Sequence, residues 1–263
     1  MKPGQRLEQR ILGARSAGRT ALLPYLVAGF PRREGFDDLL LRIAARAEVV
    51  ELGLPFTDPT ADGPVIAAAG LAALAQGVQL GWVCELAASV RAEIEAGLVL
   101  MSYLNPLLAP GLERSLSLLA ASGFEGLIVP DLPLEESDEL RGLADRHGLA
   151  LIQLVTPVTP PARVRELASA SRGFLYAVTR TGITGARAAP GAISAYLRGV
   201  RELSALPVCA GFGLRDPAQV LALAGDCDGL VVGTALVERL QRGEDPCLLL
   251  DSLKAAAAAG RPT

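Results

Sequence analysis

Lysine is nearly absent from this chain. Of 263 residues only Lys2 and Lys254 are lysines, and the remaining basic residues are arginines, dispersed and balanced by acids to a net charge of −3. A chain that lives on nucleic acid needs a basic surface to release counterions from phosphate, so nucleic-acid binding is not expected. Histidine occurs once, as His147. Cysteine occurs four times, as Cys84, Cys209, Cys227 and Cys247, with no C-x-x-C pair. No metal-ligand spacing results, and no metal site is expected. Isolated thiols of this kind read as buried and reduced, as in a cytosolic protein. The first residues are polar and lack the apolar core of a signal peptide, which again points to the cytoplasm. A membrane span wants ~20 predominantly apolar residues in a row. The longest uncharged stretch, from Gly63 to Cys84, contains Gln76 and Gln79 and is broken by Gly70, Gly77 and Gly81. It reads as two segments of a soluble protein joined near Gly77, and no membrane association is expected. Linker-like stretches and low-complexity tracts are missing too, so one domain over residues 1–263 is expected.

What is present is apolar material: 51% of residues are hydrophobic and 20% charged, which excludes wholesale disorder. Eight short apolar runs begin at Ala21, Val49, Leu98, Gly126, Leu149, Gly173, Pro207 and Gly229. Each has strand length and the aliphatic richness of a strand buried on both faces. Helical patterns lie between them. Phe36, Leu39, Leu40 and Ile43 follow helix spacing, as do Leu112, Leu116 and Leu119. The segment from Leu134 carries acids at its start, Arg146 and His147 at its end, and then Gly148, which suits the helix dipole and a glycine cap. Glu85 to Glu95 reads as a further helix, and Ala255 to Ala259 as a terminal one. Eight strand–helix alternations predict an α/β fold, a single (β/α)8 barrel of the TIM type with extra short helices. A doubly wound open sheet is the rival. It would want a glycine-rich dinucleotide turn after an early strand, and none is present.

In a barrel the chemistry sits at the C-terminal strand ends. Glu51 stands inside Val-Val-Glu-Leu-Gly, where burial of an unpaired charge is costly and raises a carboxyl's pKa. That would suit a group that gives and takes a proton near neutrality. A structural Glu paired with an arginine, or a surface position, is the other reading. The loop that follows, Pro55 to Pro64, holds Asp58, Asp62 and several prolines. It is long for an ordinary turn, and a stiff loop could aim Asp62 back over the strand end to make a two-carboxylate site. Glycine clusters at Thr181–Gly185, Gly211–Gly213 and Gly233–Thr234 fall at late strand ends, where barrels often bind phosphate. Glycine also simply turns a chain. Tyr103, Asn105, Asp131, Tyr176 and Arg180 lie near strand ends, as functional or as satisfied rim groups. Trp82 and His147 read as structural.

Together these residues resemble the tryptophan synthase alpha subunit family. The most specific segment is Glu51-Leu-Gly-Leu-Pro-Phe-Thr-Asp-Pro-Thr-Ala-Asp-Gly-Pro64. Pro24-Tyr-Leu-Val-Ala-Gly-Phe-Pro31, Tyr103-Leu-Asn-Pro106, Val129-Pro-Asp-Leu-Pro133, Arg180 to Arg187 and Gly211-Phe-Gly213 support it in the same order. The resemblance implies retro-aldol cleavage of indole-3-glycerol phosphate to indole and glyceraldehyde 3-phosphate. By position, Glu51 would be the general acid–base, Asp62 would hold the indole N–H, and Tyr176 would line the site. Tyr25, Met101 and Phe212 would flank the indole. Gly185, Gly213, Gly233 and Thr234 would hold phosphate, and Thr184 would meet Asp62 on loop closure. The family further implies a beta subunit as partner in an alpha2–beta2 complex, with Asp58, Asn105 and Pro106 near the contact. No cofactor is expected in this chain. No lysine is placed to hold pyridoxal phosphate, which would belong to the partner. Ala67 and Gly70 depart from polar amides common in the family, which bears on docking rather than cleavage. A stand-alone lyase releasing free indole, a different phosphosugar barrel, and a non-catalytic activator of a pyridoxal-phosphate partner are the alternatives.

Overall fold

The computed structural model describes residue 2 and residues 4–179, 190–211 and 213–260. Eight parallel strands close into a barrel in chain order. They are β1 (Ala21–Val27), β2 (Val49–Gly53), β3 (Gly97–Met101), β4 (Gly126–Ile128), β5 (Ala150–Val155), β6 (Leu175–Val178), β7 (Val208–Gly211) and β8 (Gly229–Val232). Every one lies within or overlaps an apolar run named above, so the barrel expectation is met and the open sheet is set aside.

Helix α1 (Gln5–Ser16) precedes the barrel and α2 (Phe36–Ala44) follows β1. Between β2 and β3 run α3 (Pro64–Leu74) and α4 (Leu80–Val90), and between β3 and β4 run α5 (Leu104–Leu108) and α6 (Leu112–Ala121). Single helices α7 (Asp138–His147), α8 (Pro161–Ala170), α9 (Pro190–Leu203) and α10 (Pro217–Leu223) follow the next four strands. After β8 come α11 (Thr234–Gln241) and α12 (Pro246–Ala259).

Three helix limits differ from the sequence reading. The helix expected over Glu85 to Glu95 starts earlier, at Leu80, and gives way to a 3-10 turn at Arg91–Glu93. Its buried stripe is Leu80, Val83, Cys84, Leu86, Ala87 and Val90, so packing rather than the acids sets its extent. The segment from Leu134 is first a 3-10 turn, Leu134–Glu136, and α7 begins only at Asp138. The terminal alanines are the end of α12, which starts at Pro246 behind Asp245, whose carboxylate accepts the Cys247 N–H at 3.0 Å. The break at Gly77 is as expected. Its φ is +76°, a left-handed value that suits glycine.

Strand alternation creates two apolar layers. Val50, Leu52, Leu98, Leu100 and Leu127 face outward into the layer shared with the helices. Leu23, Val49, Val99, Ile128, Ile152, Phe174 and Val231 fill the barrel interior. Leu7, Ile11 and Ala14 of α1 join that inner cluster, so α1 seals the N-terminal mouth. Leu7 needs glycine to fit: a Cβ at Gly97 would lie 2.6 Å from its side chain, and at Gly126 or Gly173 3.1 Å. Arg10 pins the plug by donating to Glu125 at 2.7 Å and to the Glu95 carbonyl at 2.9 Å. The opposite, C-terminal mouth is left for function.

Candidate active site

The alternation that turns Val49 inward also turns Glu51 inward. In register it stands beside Tyr25 of β1 and Val99 of β3. Glu51 is wholly buried, and neither of its carboxyl oxygens has a hydrogen-bond partner among the described residues. Burial alone pushes its pKa up to about 8, so the group is protonated at neutral pH. The reading of Glu51 as a structural group paired with an arginine is therefore not upheld, and neither is a surface position.

Asp62 reaches the same mouth from the loop between β2 and α3. The loop is held by Thr60 N–H donating to the Asp58 carbonyl at 2.9 Å and Asp62 N–H donating to the Pro59 carbonyl at 3.1 Å. Asp62 is half-buried. Desolvation raises its pKa to about 6, partly offset by the neighbouring Tyr103 hydroxyl. That hydroxyl also accepts the Ala61 N–H at 2.9 Å.

Tyrosines surround the pair, and glycines make room for them. A Cβ at Gly53 would come within 2.5 Å of the Tyr25 Cζ, and one at Gly211 within 2.5 Å of the Tyr176 Cζ. Burial holds the Tyr25 and Tyr176 phenols protonated far above neutrality, and the carboxyls beside them, Asp62 and Glu51 for Tyr25 and Glu51 for Tyr176, act in the same direction when ionised. Tyr25, Gly53, Pro55, Phe56, Asp62 and Ile66 line a narrow crevice. A larger hollow between α6 and α7, lined by Glu113, Asp138, Glu139 and Arg146, lies in the helix layer away from the strand ends.

The other expected positions fall on the same rim. Met101 ends β3 and is half-buried. Gly213 follows β7 with φ +95°. Gly233 caps α11 and Thr234 is its first residue, which offers a helix N-terminus to an anion. A Cβ at Gly233 would approach Tyr25 to 3.0 Å, so this helix end borders the aromatic wall of the crevice. Asp58 and Asn105 are exposed and Pro106 is half-buried, outside the crevice. Thr184, Gly185 and Phe212, with the rest of 180–189, lie outside the described residues. Trp82 packs on Phe36 with Arg33 over its ring at 4.9 Å, and His147 meets Glu113 at 2.8 Å, so both are structural as read. The four cysteines are buried, and none is joined in a disulfide. Among the described residues no cluster of His, Cys, Asp and Glu could hold a metal ion.

Sequence reasoning placed Tyr103 near a strand end but missed its bond to the loop that carries Asp62. The available signal was the scarcity of tyrosine: the chain has four, and Tyr25, Tyr103 and Tyr176 all fall within two residues of a strand's C-terminal end.

A parallel barrel with a protonated, buried carboxyl and a second, ionisable one at its C-terminal mouth defines an acid–base enzyme of the (β/α)8 class. Comparison with known proteins narrows this. The chain belongs to the tryptophan synthase alpha chain family, whose family model matches residues 12–258. It is 45% identical over 240 residues to the tryptophan synthase alpha chain of Chloroflexus aurantiacus, covering 90% of each chain. It is likewise 45% identical over 242 residues to that of Nitratidesulfovibrio vulgaris, covering 91% of this chain and 94% of the relative. Among solved structures it is similar to Mycobacterium tuberculosis tryptophan synthase, with a TM-score of 0.89, 34% identity, and coverage of 96% and 98% of the two chains. The tryptophan synthase subunit alpha of Legionella pneumophila gives a TM-score of 0.88 at 30% identity, covering 98% of each chain. The chain is thus a carbon–carbon lyase of tryptophan biosynthesis, cleaving indole-3-glycerol phosphate.

Proposed function

We propose that Glu51 and Asp62 divide the cleavage chemistry between them. Protonated Glu51 delivers its proton to C3 of the indole ring. Ionised Asp62 holds the ring N–H and lowers the cost of the positive charge that the ring then carries. The Glu51 carboxylate next takes the proton from the glycerol hydroxyl. As the new carbonyl forms, the carbon–carbon bond breaks and its electron pair returns to the ring. Indole and glyceraldehyde 3-phosphate leave, and Glu51 is again protonated. A single carboxyl can serve both proton transfers when its pKa lies near the working pH.

Tyr176 and Tyr25 wall the reacting centre, and Met101 and Phe212 complete the indole pocket. Gly185, Gly213, Gly233 and Thr234 hold the phosphate, whose binding orients the bond to be broken. Thr184 closes on Asp62. The observation that carries this reading is the Glu51 carboxyl, buried and unpartnered at the functional mouth of the barrel.

The same reading includes a beta subunit docked near Asp58, Asn105 and Pro106 in an alpha2–beta2 assembly, with pyridoxal phosphate confined to that partner. It also includes a cytoplasmic location and one domain over residues 1–263. No helix among the described residues is long and apolar enough to cross a membrane.

The test is indole release from indole-3-glycerol phosphate, with and without a beta subunit. Glu51→Gln is expected to lose roughly 10²–10⁴-fold in rate while still binding the partner. Unchanged cleavage in that variant would remove the mechanism. Asp62→Ala should lose most turnover with little change in Tm. A large drop in Tm would recast Asp62 as structural.

A further inference from the structure

Tyr103 sits between β3 and α5, and its backbone is fixed on both sides. Ser102 N–H donates to the Ile128 carbonyl at 3.0 Å, and Leu104 N–H donates to the Asp131 carboxylate at 3.0 and 3.2 Å. The side chain is only 5% exposed, and its ring packs on Phe56 with centroids 5.4 Å apart. Its hydroxyl reaches the neighbouring loop. It accepts from the Ala61 N–H at 2.9 Å, one residue before Asp62, and stands beside the Asp62 carboxyl, whose pKa it lowers. Among the described residues, the other hydrogen bonds of residues 57–62 run within the loop itself.

From this juxtaposition the structure assigns Tyr103 as the positioning residue for Asp62, the group that ties the carboxylate-bearing loop to the rigid β3–α5 rim and aims its charge at the substrate. The assignment rests on the proposed role of Asp62. Tyr103 acts through that carboxylate and takes no proton itself. A hydroxyl that donates to a carboxylate favours the charged form. Without it, Asp62 would be both less anchored and harder to ionise. Asn105 and Pro106 follow two and three residues on, so a partner that shifted α5 would shift this anchor as well.

Tyr103→Phe removes the hydroxyl and keeps the ring on Phe56. Carboxyl NMR of ¹³C-labelled protein, with Asp62 assigned by Asp62→Asn, reads the consequence without any activity. The Asp62 titration midpoint is expected to rise by roughly half a unit or more. The acid limb of kcat/KM for indole-3-glycerol phosphate cleavage should move the same way, with kcat at neutral pH falling roughly tenfold. Site-specific 3-fluorotyrosine at 103 is a stronger donor and should move the midpoint down, which covers the case in which Tyr103→Phe folds poorly. An unmoved midpoint in both variants overturns the assignment, as does Tyr103→Phe with Asp62→Asn losing the full product of the single losses. Asp62→Asn at full activity would instead overturn the role of Asp62 in the reaction, which is a separate outcome.

Discussion

Glu51 makes function and stability compete within one side chain. Its pKa is about 8 in the folded chain, against an ordinary 4.5. Between those values the folded state holds a proton that the unfolded state has released. Stability contributed at this site therefore falls as pH rises through the window, by up to about 1.4 kcal/mol per unit. Below pH 4.5 both states are protonated and nothing is lost, and above about 8 the loss is complete. Glu51→Gln removes the titration but still buries a polar amide, so the slope is the diagnostic rather than the offset. Thermal melts of wild type and Glu51→Gln from pH 5 to 9 should diverge steadily in favour of Gln up to about pH 8 and run parallel beyond it. A constant difference throughout would mean that folding leaves the proton affinity of Glu51 unchanged.

The elements show which parts of a barrel a sequence announces. Strands buried on both faces carry unbroken apolar runs, so β1 to β8 were legible without any neighbour. Helix limits were less so: α4 takes its length from the apolar face it buries rather than from its acids, and α12 starts at the Asp245 cap and Pro246, well upstream of the terminal alanines. The plug formed by α1 was not legible at all. Its residues Leu7, Ile11 and Ala14 share a helix face amid polar neighbours, and their sockets at Gly97, Gly126 and Gly173 are dispersed in the chain until the barrel closes. The consequence is testable at this scale. Leu7 is wholly buried, and the glycines beneath it have no side chains with which to refill its space. Leu7→Ala should cost about 2–5 kcal/mol in urea unfolding. Because the plug lies at the opposite end from Glu51, kcat/KM of the folded fraction should stay within about twofold of wild type. A larger kinetic defect would show that the two mouths are coupled through the interior.

Closure of the whole barrel is what turns isolated oddities into a site. Glu51 was legible because an acid interrupts an apolar strand, and Asp62 because its loop is too long and too stiff for a plain turn. Tyr103 and Tyr176 were legible as strand-end groups and Tyr25 only through the resemblance, but their convergence was not, since β1, β3 and β6 meet at one mouth only in the closed sheet, and the bond between Tyr103 and Ala61 crosses between loops with no shared pattern. Assembled, the site needs two carboxyls in opposite states: Asp62 ionised to hold the ring N–H, and Glu51 protonated to donate. With pKa values of about 6 and about 8, that combination prevails between those limits. The pH profile of kcat/KM should therefore be a bell, rising through an acid limb near 6 and falling through a basic limb near 8. Asp62→Asn separates them. Its residual activity should lose the acid limb and keep the basic one, whereas a profile whose acid limb survives in Asp62→Asn would assign that ionisation to another group and dissolve the division of labour between the two carboxyls.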